Sequence, residues 1–117
     1  MTTQQVANRL VELCRMGQIE TAQKELFANH VVSTEPDGAP MKEVKGLPAV
    51  LEKGQQFMAM VQEFHGSTIS DPVVTGDHFA IAWDFDATMK GHERSVMKEI
   101  CVYKVKDGKI DAEQFFF

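Results

Sequence analysis

Residues 101–117 read "CVYKVKDGKIDAEQFFF", and this stretch indicates the fold more strongly than any other. Asp107-Gly108 is a dipeptide typical of tight β-hairpins, and it stands between two runs of β-forming residues. The stretch therefore predicts two antiparallel strands joined at this turn. In the second strand, Phe116 is expected to pack on one side of the sheet and Phe115 and Phe117 on the other. Deleting these three residues is expected to unfold or monomerise the protein.

The register of this hairpin decides which side of the sheet Glu113 occupies. With a two-residue turn, Val102 lies opposite Glu113, and Glu99 faces the other side. With a three-residue turn and a glycine bulge, Cys101 lies opposite Glu113. One face of the sheet then carries Glu99, Tyr103, Glu113, Phe115 and Phe117. Asp-Gly suits both turns, and we favour the bulged register because it gathers the acids and the tyrosine.

Further strands are predicted on the N-terminal side of the hairpin. "STISDPVVT" (67–75) leads through Gly76-Asp77 into "HFAIAWDFDATM" (78–89), and "KGHE" (90–93) turns into the strand before Asp107. These segments predict an antiparallel meander of four strands. The strand "SVMKEICVYKV" (95–105) is apolar on both faces, which is typical of a strand that is covered on both sides. We expect one side to face a helix and a pocket, and the other a second subunit.

Helical periodicity fills most of the first half of the chain. Residues 2–17 and 18–30 predict two short helices, and Thr2 with Gln5 has the spacing of a capping box. Residues 46–64 predict the longest helix, whose apolar face includes Leu47, Val50, Leu51, Phe57, Met58, Val61 and Phe64. A short strand, "HVVSTE" (30–35), lies between the second and third helices. Helices segregated from an antiparallel sheet predict the α+β class, with the third helix covering the sheet.

Length and charge narrow the class of protein. A chain of 117 residues is enough for one domain, residues 1–117, with a core of its own. The net charge of −5 and the lack of any run of Lys or Arg argue against binding to nucleic acid or to an anionic membrane surface. No apolar run is long enough to span a bilayer and residues 1–10 carry no secretory signal, so a cytoplasmic protein is expected.

The order of elements resembles the nuclear transport factor 2-like superfamily, particularly its SnoaL-like branch. The resemblance rests on the N-terminal helical pair, "KGLPAVLEKG" (45–54), "TGDHFAIAWDF" (75–85) and residues 101–117, and covers nearly the whole chain. It implies a cone-shaped, strongly bent antiparallel sheet wrapped round a long helix (the nuclear transport factor 2-like or cystatin-like roll), usually as a homodimer through the outer sheet face. The superfamily contains isomerase-, dehydratase- and cyclase-like enzymes and also non-catalytic binding modules, so the fold leaves the activity open.

A pocket is expected at the open end of such a cone. Glu113 is the main candidate for proton transfer and Glu99 the second, because a carboxyl group enclosed by apolar side chains has a raised pKa and can exchange protons near neutral pH. Alternatively, either acid points to solvent or pairs with Lys98 or Lys104. The residues expected to line the pocket are Tyr103, Trp83, Phe115, Phe117, Glu35, His30, Phe57 and Val61.

Two departures from the enzymes of the superfamily bear on activity. Ketosteroid isomerase-like sites typically use a tyrosine in the first helix, whereas Tyr103 is the only tyrosine here. SnoaL-like cyclases use an aspartate late in the last strand, where this chain has Phe115 and Phe116. Two hypotheses follow: a cofactor-free acid/base enzyme (isomerase, dehydratase or cyclase-like) acting on a small apolar molecule, or a non-catalytic module for ligand binding or dimerisation.

Neither a cofactor nor a metal is expected. Cys14 and Cys101 stand among apolar neighbours, as reduced thiols of a core do. No group of His, Asp and Glu has the spacing of metal ligands, and there is no glycine-rich phosphate loop or serine nucleophile elbow.

Overall fold

The computed structural model describes all 117 residues as three helices and seven strands. The helices are α1 (Thr3–Arg15), α2 (Ile19–Leu26) and α3 (Leu47–Ala59). The strands are β1 (Phe27–Thr34), β2 (Glu43–Lys45), β3 (Val61–Ile69), β4 (Val73–Thr75), β5 (His78–Met89), β6 (Arg94–Lys106) and β7 (Lys109–Phe116). The predicted α+β class is confirmed. No helix is long and apolar enough to cross a membrane.

All seven strands belong to one sheet, in the order β2-β1-β7-β6-β5-β3, with β4 also paired to β5. Every neighbouring pair is antiparallel except β1 and β7, which run parallel and bring the first half of the chain beside its last strand. Register shifts interrupt the β1/β7, β3/β5 and β6/β7 pairs. Such bulges bend strands and increase their twist, and the sheet is accordingly bent and open, as predicted. The sequence pattern did not predict the parallel pairing of β1 with β7.

Helix α1 contributes most to the core. The predicted capping box is present, with Thr2 accepting from the Gln5 backbone, and the helix ends just before Gly17, whose φ is +75°. One stripe of α1 is buried: Val6, Ala7, Leu10, Val11, Leu13 and Cys14. In α3 only Val50 is buried. The helix most enclosed by the fold is therefore α1, whereas the sequence pattern assigns this place to the third helix.

Helix α3 ends five residues before its predicted end, and residues 61–69 form β3. The apolar spacing of residues 61–64 fits a helix, but residues 61–69 pair with β5 from Val61 opposite Met89 to Ile69 opposite Trp83. A strand partner distant in sequence overrides a local periodicity. The prediction that Val61 lies on the third helix is therefore wrong.

The hairpin between β6 and β7 combines a tight turn with a bulge. Asp107 and Gly108 have φ values of +53° and +76°, and Lys106 pairs with Lys109, so the turn has two residues. Val105 then pairs with Ile110 and Lys104 with Ala112, which leaves Asp111 as an extra residue.

Beyond the extra residue, Tyr103 lies opposite Glu113 and Cys101 opposite Phe115. The predicted three-residue turn is therefore wrong. The predicted pairing of Cys101 with Glu113 is also wrong, but the shared face of Tyr103, Glu113 and Phe115 is confirmed, because the one extra residue moves Glu113 to the other face of the sheet.

The outer face of β6 and β7 carries exposed apolar side chains beside lysines in the single chain. Ile100 lies opposite Phe116, and these two side chains and Val96 are 45%, 49% and 47% exposed. On the inner face, Cys101 is buried, and it is a free thiol like Cys14, as predicted.

Candidate functional site

A cavity of about 530 Å³ lies between the three helices and the inner face of β5, β6 and β7. Cavities of this size suit small molecules. Seven aromatic side chains form much of the wall: Phe27, Phe57, Trp83, Phe85, Tyr103, Phe115 and Phe117. Three carboxyl groups also line it, from Glu35, Glu99 and Glu113, together with the ammonium group of Lys53.

Most of the predicted site residues meet in this cavity, although they come from four elements, the loop after β1 and the C-terminal residue. The lining includes Glu113, Glu99, Tyr103, Trp83, Phe115, Phe117, Glu35 and Phe57. His30 and Val61 are not part of it. His30 is exposed on β1. Val61 is the first residue of β3, whereas the sequence pattern places it on the third helix. These two residues are corrections to the predicted lining.

Glu113 is one of the most enclosed charged residues of the chain, with only 5% of its surface exposed. Burial raises its pKa from 4.5 to about 7, because an apolar surrounding disfavours the ionised carboxylate. The Ser33 hydroxyl, as a hydrogen-bond donor, and the positive charge of Lys53 oppose this rise. The balance leaves Glu113 able to gain and lose a proton near neutral pH.

Lys53 connects α3 to the polar end of the cavity. Its Nζ donates to the Ser33 Oγ at 2.7 Å and to the Glu35 Oε1 at 3.1 Å, and it lies 5.1 Å from the centre of the Phe115 ring. An ammonium group has donors but no acceptor, so the Ser33 oxygen accepts and its own hydrogen stays free for Glu113. The charge of Lys53 thereby acts on Glu113 through Ser33, which is fully buried.

Glu99 is half-buried, whereas Glu113 is buried. The only hydrogen-bond partner of Glu99 is the Cys101 thiol, at 3.6 Å from Oε1, and a thiol is a weak donor. Burial raises the pKa of Glu99 above its ordinary value of 4.5. The cavity therefore holds two carboxyl groups with raised pKa, of which only Glu113 is buried against a hydroxyl and an ammonium group.

The two thiols and the tyrosine near the cavity keep their protons at neutral pH. Burial raises the pKa of Cys14 to about 12 and also raises the pKa of Cys101 and of Tyr103. The thiolate is the nucleophilic form of cysteine, so neither thiol is prepared for covalent catalysis. Tyr103 stacks on Phe79 with ring centres 4.8 Å apart, which holds its ring in the core.

Ser33 and Lys53 are the site residues that the sequence pattern did not single out. Ser33 stands in a short β-branched strand, and Lys53 on a helix where a lysine ordinarily faces water. Only the parallel pairing of β1 with β7, which sets Ser33 opposite Glu113, makes them part of one site. No group of three or more His, Cys, Asp or Glu side chains comes together as a metal site would require.

Comparisons with known proteins agree with this architecture. A family model described as the SnoaL-like domain matches residues 1–117. A solved structure from Mesorhizobium loti, provisionally described as a SnoaL-like polyketide cyclase and also as a carbohydrate phosphatase, shares 35% identity over 100% of both chains, with a TM-score of 0.94.

Two more distant structures share the fold alone. A Xanthomonas campestris protein of unknown function with a cystatin-like fold is 19% identical, over 99% of this chain and 90% of that one, with a TM-score of 0.84. A Jannaschia sp. CCS1 protein, provisionally described as a SnoaL-like polyketide cyclase, is 11% identical over 97% and 83%, with a TM-score of 0.78. No curated protein matches the sequence.

Proposed function

The chain belongs to the SnoaL-like domain family, and from this premise we propose that it binds a small, largely apolar molecule in its cavity and exchanges a proton with it through Glu113. The observation that carries the proposal is the position of Glu113. Glu113 is 5% exposed and lines an aromatic-walled cavity, and burial raises the pKa of its carboxyl group to about 7.

The proposed chemistry is cofactor-free isomerisation, dehydration or cyclisation. Each of these reactions takes a proton from one atom of a molecule and returns one to another. A group with a pKa near the working pH serves both steps, and such catalysis typically contributes about 10²- to 10⁴-fold in rate. When Glu113 gives up its proton, the Ser33 hydroxyl and the charge of Lys53 stabilise the carboxylate that remains.

Two other chemistries find less support in the cavity. Its thiols are held protonated, which disfavours covalent catalysis by cysteine. The second description of the Mesorhizobium loti relative would require a phosphate group to bind. The lining has three carboxyl groups and two lysines, of which Lys53 is already paired with Glu35 and Lys98 with Asp84. A phosphate dianion would therefore meet mainly like charge.

The test begins with a thermal-shift screen of small apolar metabolites, followed by assay of each stabilising compound for conversion. We expect Glu113→Gln, which keeps the shape of the side chain, to lower turnover about 10²-fold or more while the ligand still binds. The matched control is Glu52→Gln, at an exposed acid of α3 outside the cavity. Ligands that bind but are never converted would contradict the catalytic proposal and favour a non-catalytic binding module.

We also propose that the chain forms a homodimer through the outer face of β6 and β7. The supporting observation is the exposed apolar group Val96, Ile100 and Phe116. Ile100 and Phe116 lie opposite each other across the two strands, and exposed apolar side chains that adjoin in this way on a sheet are suited to an interface. A second copy would cover the face of β6 and β7 that points away from the cavity.

A further inference from the structure

Glu99 is a carboxyl group of the cavity wall that has no charged partner. It is half-buried and lines the cavity from the inner face of β6. Its Oε1 accepts from the Cys101 thiol at 3.6 Å, whereas its Oε2 has no protein partner and keeps accessible surface. A carboxylate that is partly withdrawn from water is ordinarily paired with a cation, because its lost hydration is otherwise uncompensated. Glu99 therefore has an oxygen that remains open to a group bound in the cavity.

Aromatic side chains adjoin Glu99 on the inner face of the sheet. Trp83 lies directly opposite it on β5, and Phe85 lies diagonally across, two residues further along the same strand. On the other side, Phe115 of β7 lies diagonally across from it. Opposite and diagonal positions on neighbouring strands are within reach of aromatic and long side chains. All three aromatic residues line the cavity, so its wall combines ring surfaces with one unpaired carboxyl group.

The fixed charges of the cavity do not compensate Glu99. Lys53 pairs with Glu35 at 3.1 Å, and Lys98 pairs with Asp84 at 3.0 Å. Burial is the main cause of the raised pKa of Glu99, while the charge of Glu35 raises this pKa further and that of Lys53 lowers it. The ion pair on α3 and the loop after β1 therefore supplies no surplus of positive charge. A ligand group of positive charge would stabilise the ionised form of Glu99, as an ion pair does.

We propose that the cavity binds the ammonium group of an otherwise apolar organic cation at Glu99, against the aromatic side chains of Trp83 and Phe85. The inference rests on the proposed function, since it assumes that the cavity binds a small molecule. It adds the charge of that molecule and the residue that pairs with it.

An organic ammonium ion suits this wall better than a metal ion does. The face of an aromatic ring carries partial negative charge and attracts ammonium groups, and the apolar substituents of the cation gain from the same ring surfaces. A metal ion would need several ligand atoms, and no group of three or more His, Cys, Asp or Glu side chains meets in the chain.

A pair of isosteric probes tests this inference: phenyltrimethylammonium and tert-butylbenzene, in which a carbon atom replaces the charged nitrogen. Trp83 is the only tryptophan, so its fluorescence reports the binding of either probe in the cavity. Glu99→Gln keeps the shape of the side chain and removes its charge. We expect this substitution to lower the ratio of ammonium to hydrocarbon affinity about tenfold or more, because a partly buried charge pair is lost.

Glu63→Gln is the matched control, at an exposed acid of β3 outside the cavity lining. We expect it to leave the ratio within about twofold. A ratio that Glu99→Gln leaves unchanged, or a wild-type protein that binds only tert-butylbenzene, would overturn the inference while the proposed pocket stands. Failure of both probes to bind the wild-type protein would overturn the pocket and the inference together.

A second measurement uses the wild-type protein and does not require a variant to fold. The equivalent methyl protons of phenyltrimethylammonium give a single strong NMR signal. We expect nuclear Overhauser contacts from this signal to the methylene protons of Glu99 and to the ring protons of Trp83. Contacts to other lining residues without any to Glu99 would contradict the placement of the cation.

Discussion

Ser33 and Glu113 lie directly opposite each other on β1 and β7, the one parallel pair of the sheet. Both are buried, and Ser33 accepts a hydrogen bond from Lys53 at 2.7 Å. The hydroxyl group thus transmits the charge of a helix residue to a carboxyl group two strands from the sheet edge. This relationship leads to predictions that do not require the ligand to be known.

Ser33→Ala is expected to raise the pKa of Glu113 above its present value of about 7, because the hydroxyl donor that stabilises the carboxylate is removed. A rise of about one unit corresponds to the loss of a hydrogen bond to a charged group. The measurement is an NMR titration of the ¹³C-labelled glutamate carboxyl signals. Ser67→Ala, at an exposed serine of β3, is the control. A Glu113 pKa that stays the same or falls would contradict the transmission through Ser33.

Glu113 is also expected to make stability depend on pH. Between about pH 4.5 and 7 the unfolded chain loses this proton while the folded chain retains it, so the free energy of unfolding falls as pH rises through that window. At about 1.4 kcal/mol per unit, the loss is about 3 kcal/mol. Urea unfolding at a series of pH values measures it as the difference between wild type and Glu113→Gln. Since Glu99 is common to both proteins, its own titration largely cancels. A difference that is constant with pH would show that Glu113 has an ordinary pKa.

Phe115 and Phe117 are expected to differ in their effect on stability although both line the cavity. Phe115 is half-buried, pairs with Cys101 across the strands and carries Lys53 over its ring, whereas Phe117 is 70% exposed. We expect Phe115→Ala to lower the free energy of unfolding by about 2–3 kcal/mol and Phe117→Ala by less than about 1 kcal/mol. Thermal and urea unfolding check this order. Equal losses would mean that residue 117 is held as firmly as residue 115.

The proposed homodimer is tested by placing a charge on the outer face. Ile100→Asp is expected to convert the dimer into a monomer, because the exposed apolar side chain would be replaced by a carboxylate that must lose its hydration at the interface. Light scattering after size-exclusion chromatography gives the mass directly. Met41→Asp changes a comparably exposed apolar residue in the loop before β2 and is expected to leave the mass unchanged. A wild-type protein that is already monomeric would remove the proposal.

The sequence indicates the fold well where strong local signals agree. The capping box at Thr2 and the tight turn at Asp107-Gly108 are decided by neighbouring residues, and both are found in the structure. The end of α3 is different, because residues 61–64 continue the helical spacing and become part of a strand only through pairing with β5. Local periodicity contains no information about a partner strand that lies 20 residues further along the chain.

The site could be predicted only in part for the same reason. The aromatic and acidic residues of β6 and β7 alternate visibly in the sequence, and their shared face follows from one choice of register. Ser33 and Lys53 join them through a parallel pairing between strands some 80 residues apart in the chain. No pattern within β1 or α3 predicts the contact of Ser33 and Lys53 with the site.

The extra residue at Asp111 has a consequence for comparing relatives of this protein. Because of this residue, the number of residues between the turn and the acid does not by itself give the position of the acid on the sheet. A relative without the bulge would present its acid one position nearer the Asp-Gly turn and still hold it across from the equivalent of Tyr103. An alignment anchored on the turn would then place the residue that follows the acid in the column of Glu113 and count the acid as lost. In this hairpin, equivalent residues of related proteins are better identified by superposing their backbones than by sequence alignment.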